Sequence, residues 1–189
     1  MTLRVTFELS NKDLRHFRRI MRESRQGAKE LPDDAVIEAA EALLVSVREQ
    51  SVSDFVTQRL DKLKVMIDML RDEEWQIPKK ERDRVIAALS YFAEEEDLIP
   101  DSIPVLGFLD DAIMIELVVR ELRHEIEAYE DFCAFRQEDD KRPKAEQAAE
   151  EREARLAKRR KALHERMRRR GTRQRRARRG RSGPRLSLF

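Results

Sequence analysis

The stretch that decides the fold is DLIPDSIPVLGFLDDAIMIELVVREL, residues 97–122. Pro100 and Pro104 restrict the residues before them to extended conformations, so a helix is not expected to continue through this stretch. Gly107 permits a tight turn or a close backbone approach. Asp110 and Asp111 follow in the first turn of a new helix, where negative charge is favoured. The stretch therefore predicts an elbow between two helices.

A membrane span is the first alternative for this stretch. Residues 98–119 are long enough to cross a bilayer and contain fourteen apolar side chains, together with four acidic ones. The four charges disfavour insertion into the bilayer by about 10 kcal/mol, and the apolar side chains favour it by only about 7 kcal/mol. A simple span is disfavoured, and a segment lying on a membrane surface stays open.

The surrounding sequence predicts an all-α domain, a bundle of about five helices with the elbow before the central one. We expect helices over about 11–26, from Pro32, from Ser53, over about 79–95 and over about 109–137. Apolar residues recur at intervals of three and four in these segments, as in packed helices. Ser10 and Asp13 are typical of a capping pair, and the alternating stretch Thr2–Leu9 is a candidate strand.

Residues Asp97-Leu98-Ile99-Pro100-Asp101, Ile103-Pro104-Val105-Leu106-Gly107 and Leu109-Asp110-Asp111, with Tyr91-Phe92 before them, resemble the signature of the YkvA-like domain family over about residues 86–120. The resemblance implies a small helical module without an assigned activity, often predicted to be membrane-associated. Glu94–Glu96 and Ser102 depart from the usual pattern and make the stretch more polar. The resulting division of the chain is a YkvA-like helical domain over 1–137, a charged helical arm over 138–170 and a disordered basic tail over 171–189.

Charge is distributed unevenly along the chain. Residues 156–189 hold 15 basic side chains and one acidic one, a net charge of +14, whereas residues 1–155 carry −12. Thirteen of these basic residues are arginines, which bind phosphate bidentately and stack on bases. Such segments neutralise phosphates without reading sequence, and RNA is the favoured polyanion. The predicted nucleic-acid-binding residues are Arg159, Arg160, Arg168, Arg169, Arg170, Arg175, Arg176, Arg178 and Arg179. Binding of anionic lipid and folding of the tail onto the acidic body are the alternatives.

Sites for chemistry are sparse. Asp97, Asp101, Asp110 and Asp111 are candidate ligands for magnesium or calcium, although their spacing matches no known loop motif. Glu121 and His124 form half of a di-iron motif, and we expect His124 to face solvent and Cys133 to be a small core residue. No phosphate-binding glycine loop, HExxH or GxSxG motif is present, so neither an enzyme nor a cofactor is predicted.

The functional prediction is a cytoplasmic accessory protein without enzymatic activity. Its tail binds RNA or DNA, its helical body binds an unidentified protein partner, and no small-molecule substrate is expected. The alternative is a protein peripheral to the inner face of the membrane, which uses the tail and residues 98–119. A metal-dependent enzyme is the third hypothesis.

Overall fold

The structure is a computed structural model that describes residues 8–27, 31–48, 52–93, 108–141 and 149–181. At positions 25, 27, 48, 149, 150 and 174–181 only the backbone is described. Over the described residues the fold is all-α, as predicted. The helices are α1 (Asn11–Gly27), α2 (Asp33–Arg48), α3 (Asp54–Arg71), α4 (Lys79–Leu89), α5 (Leu109–Glu121), α6 (Arg123–Asp140) and α7 (Ala149–Arg181), with a 3-10 helix at Ser90–Ala93 after α4.

The starts of the first helices follow from local hydrogen bonding. The Ser10 hydroxyl accepts from the backbone N–H of Lys12 and Asp13, and the Asp13 carboxylate accepts from the Ser10 N–H at 2.8 Å, which confirms the predicted capping pair. Ser53 caps α3 by accepting from the Val56 N–H at 3.4 Å. Pro32 precedes α2, and its carbonyl accepts from Ala35 and Val36. The candidate strand Thr2–Leu9 lies mostly outside the described residues.

Two compact units make up the chain, one from Met1–Leu70 with Lys79–Glu121 and the other from Arg71–Pro78 with Leu122–Phe189. We call them unit 1 and unit 2. This division differs from the predicted ranges 1–137, 138–170 and 171–189. The charged arm and a short loop after α3 share a unit with α6, and the rest of the predicted helical domain forms the other unit.

Unit 1 is built around apolar faces that the sequence periodicity predicts. α2 packs against α4 and the 3-10 helix, and α1 packs against the 3-10 helix, α4 and α5. The predicted stripe of α3 is buried throughout: Val56, Leu60, Leu63, Ile67 and Leu70. Nearly every residue from Asp110 to Val118 is buried, so α5 is surrounded on most sides. The elbow itself, including Pro100, Pro104 and Gly107, lies outside the described residues.

The helix predicted over 109–137 is in fact two helices, separated at Leu122. Leu122 has φ −97° and ψ 14°, and no side chain caps the start of α6. These angles lie in the sparsely populated region between helix and strand. The break was missed because no proline or glycine marks it, and the apolar spacing of three and four continues across it.

Candidate nucleic-acid interface

The predicted charged arm is not exposed on all sides. α7 packs along α6 in unit 2, and its buried residues Leu156, Leu163 and Met167 are at most 2% exposed. Their spacing of seven and four places them on one side of a helix. This short apolar row was not predicted because the many charges around it lower the average hydrophobicity of the segment.

Carboxylates of α6 pair with arginines of α7. The Arg155 guanidinium donates to both oxygens of the buried Asp139 at 2.8 and 2.9 Å. Arg166 pairs with Asp131, and Arg170 donates to Glu127 at 2.9 Å. A bidentate pair of this kind fixes orientation as well as charge. These contacts align α7 with α6 along several turns.

The loop between α3 and α4 supplies further carboxylates, which pair with arginines of α6 and α7. Asp72 accepts from the backbone N–H of Glu74 and Trp75, at 2.9 and 3.0 Å. Arg152 donates to the Glu74 carboxylate at 2.5 Å, and Arg136 lies 3.0 Å from the other oxygen. These hydrogen bonds, that of Arg152 foremost, lower the pKa of Glu74.

An aromatic cluster fills the interior of unit 2. Trp75 is fully buried, and its ring centroid lies 5.8 Å from Tyr129, 5.2 Å from Phe132 and 4.4 Å from His164 of α7. Burial, with Arg168 and Arg160 nearby, lowers the pKa of His164 to about 4. His164 is therefore neutral at pH 7, and α7 contributes directly to this core.

The predicted nucleic-acid-binding arginines of α7 fall into two groups. Arg160 donates to the Glu74 carbonyl at 2.6 Å, Arg159 lies over the Phe135 ring at 5.5 Å, and Arg170 pairs with Glu127. All three make contacts within unit 2, although the Arg170 side chain is itself exposed. Arg168 and Arg169 are exposed. The side chains of Arg175, Arg176, Arg178 and Arg179 lie outside what the structure describes.

A basic surface remains on the exposed part of α7, away from its buried row. It consists of five exposed cations: Lys158, Lys161, Arg168, Arg169 and Arg173. We call this surface the outer face of α7. Among described side chains, the one ion pair on it joins Arg169 to Glu165, at 3.8 Å and four residues apart. Exposed pairs of this spacing contribute little, so the outer face stays available to a polyanion.

The backbone of α7 continues as a helix to Arg181, whereas the composition predicts disorder from residue 171. Arginine, alanine and glutamine are strong helix formers, and their propensities favour continuing a helix that unit 2 has already nucleated. The predicted tail is thus helical as far as 181, and residues 182–189 lie outside the description.

A second cluster of polar residues is buried in unit 1. Asp110 and Asp111 occupy the first turn of α5 and are 1% and 5% exposed. The Tyr91 hydroxyl, from the 3-10 helix, donates to Asp110 at 3.4 Å. This contact connects the residues on either side of the predicted elbow.

Residues 84–117 match the family model described as a protein of unknown function (DUF1232). We call these matched residues the DUF1232 segment. The YkvA-like domain belongs to this family, so the match confirms the resemblance seen in the sequence. No curated protein and no solved structure matches the chain significantly.

Within the DUF1232 segment, Asp110 and Asp111 are the two described members of the predicted metal set. Asp97 and Asp101 lie outside the described residues. No three His, Cys, Asp or Glu side chains in the described ranges are grouped as metal ligands would be. In those same ranges, no helix combines the length and apolar composition needed to cross a bilayer.

Two further residues differ from their predicted surroundings. The His124 side chain is 11% exposed and lies 3.8 Å from Glu127. It is therefore largely covered, whereas it was predicted to face solvent. Cys133 is partly exposed, with its sulfur 3.7 Å from Arg136, and burial raises the pKa of its thiol.

Proposed function

We propose that the protein binds nucleic acid non-specifically through the outer face of α7, with RNA as the favoured partner. The observation that carries this proposal is the division of α7 into two sides. Its inner arginines are paired with carboxylates of α6 and the loop, while its outer face carries five cations and one acidic residue. Among the described side chains, one ion pair, between Arg169 and Glu165, compensates the positive charge on that side.

The chemistry of the outer face fits a phosphate backbone and offers no means of reading bases. Guanidinium groups bind phosphate oxygens in pairs, and each neutralised phosphate releases counterions. None of the exposed residues on the face is aromatic, so stacking on bases is left to arginine planes. Binding is therefore expected to depend strongly on salt and weakly on sequence.

The experiment compares the intact chain with two variants that lose the same number of charges. The first replaces Lys158, Lys161, Arg168 and Arg173 with glutamine. The control replaces four exposed cations of unit 1 with glutamine: Lys64, Lys79, Lys80 and Arg120. Affinity for a short mixed-sequence RNA is measured between about 50 and 200 mM salt. Trp75 fluorescence verifies that unit 2 remains folded in each variant.

If the four cations each contact one phosphate, the slope of log affinity against log salt falls by about 3 in the α7 variant. The control retains the slope of the intact chain. Equal slopes in the two variants would contradict the proposal. Flotation with anionic vesicles by a chain that does not bind RNA would also contradict it, and would favour the membrane alternative.

A further inference from the structure

A separate basic surface lies on α1 in unit 1. Arg15, Arg18, Arg19 and Arg22 are all exposed and recur at spacings of three and four, so they lie along one side of the helix. Arg19 approaches the His16 ring at 3.1 Å, and Arg22 donates to the Arg18 carbonyl at 3.2 Å. Within the described part of the chain, none of the four forms an ion pair with a carboxylate. We call these residues the α1 arginine face.

The opposite side of α1 is already used by unit 1. Met21 is 4% exposed, Leu14 and Phe17 are partly buried, and the helix packs against the 3-10 helix, α4 and α5. An amphipathic helix that binds a membrane surface inserts its apolar side into the lipid. That side of α1 is occupied, so the helix presents its polar side to a partner, where the four arginines lie beside the exposed Lys12, His16 and Glu23.

We propose that the α1 arginine face is a second binding surface for nucleic-acid phosphates, independent of the outer face of α7. Four guanidinium groups lie along one side of the helix, whose successive turns are about 5.4 Å apart, so they offer several bidentate phosphate-binding groups in succession. Several guanidinium groups in succession suit a polymer of phosphates better than a single phosphate group. The overall negative charge of residues 1–155 conceals this surface, because the acidic residues of that segment lie mostly outside α1.

The test uses the full chain with Arg15, Arg18, Arg19 and Arg22 replaced by glutamine. Glutamine keeps helix propensity, and circular dichroism confirms that the helical content is unchanged. The control is again the variant lacking Lys64, Lys79, Lys80 and Arg120, which has the same net charge. The probes are the mixed-sequence RNA, its DNA duplex counterpart and vesicles containing anionic lipid, all over the same range of salt.

The expected result is a fall of about 3 in the salt slope for RNA or the duplex, with at least a tenfold loss of affinity near 100 mM salt. The control should lose less than about threefold. RNA and duplex affinities equal to those of the control would overturn the proposal. So would a loss confined to anionic vesicles, which would assign the face to lipid headgroups.

The variants of α1 and α7 separate the two proposals. A slope that falls only in the α1 variant supports this second surface and contradicts the function proposed for α7. A slope that falls only in the α7 variant does the reverse. When both faces are replaced, the reductions in slope should add, because the two sets of phosphate contacts are distinct.

Discussion

Replacing Leu156 with alanine tests whether α7 is part of a folded unit. Leu156 is fully buried on the side of α7 that faces α6. The substitution removes about three methylene equivalents, worth about 0.8 kcal/mol each in transfer free energy. The residual cavity adds to this, which gives a total destabilisation of about 3 kcal/mol. In a unit of this size, the loss corresponds to a fall in Tm on the order of 15 °C.

The assay follows unfolding of the intact chain by tryptophan fluorescence. Trp75 is the only tryptophan, and it lies against Tyr129, Phe132 and His164 of unit 2, so its emission reports that unit. The matched control is Lys161→Ala, at an exposed position of the same helix, which should change stability by less than about 0.5 kcal/mol. An unchanged midpoint for Leu156→Ala would refute the packing of α7 against α6.

Two further predictions concern α7. Since the pKa of His164 is about 4 in the folded chain and ordinarily about 6.5, its neutral form stabilises unit 2 above pH 6.5, and this stability is lost as pH falls toward 4. Allowing for its partial exposure, the loss is about 1–2 kcal/mol. Unfolding of the His164→Gln variant, followed by Trp75 fluorescence, should lack this pH dependence. Gly171→Ala should raise helicity and slow amide exchange around residue 171, because an added Cβ meets nothing within 4 Å and alanine favours helix by about 1 kcal/mol. No change in either measurement would show that the chain is not helical there.

The parts of the fold that were predictable depend on local signals. The Ser10–Asp13 cap and the start of α3 at Ser53 follow from hydroxyl and carboxylate groups that satisfy nearby backbone N–H groups. The α3 stripe follows from regular spacing, since one face of a helix must be buried. The DUF1232 segment was recognisable because its prolines, glycine and aspartates occur at fixed intervals.

What was missed depends on contacts distant in the sequence. Arg160 is 86 residues from Glu74, whose carbonyl it binds, and nothing near Arg160 in the sequence distinguishes it from Arg168, which is exposed. The division of the arginines into internal and external groups therefore could not be read from composition. The arginines of α1 recur at spacings of three and four, but the net negative charge of residues 1–155 conceals this local basic surface.

These contacts change how the basic segment should be tested. Deleting residues 156–189 removes fifteen positive charges, but it also removes Leu156, Leu163 and the arginine that pairs with Asp131. Unit 2 would then lose buried apolar contacts and leave carboxylates without their partners, each of which destabilises the fold. Loss of binding by such a truncation would not distinguish a missing surface from an unfolded unit. Substitutions confined to exposed side chains change the surface charge while the packing of α6 and α7 is preserved, so they alone connect a loss of binding to the outer face.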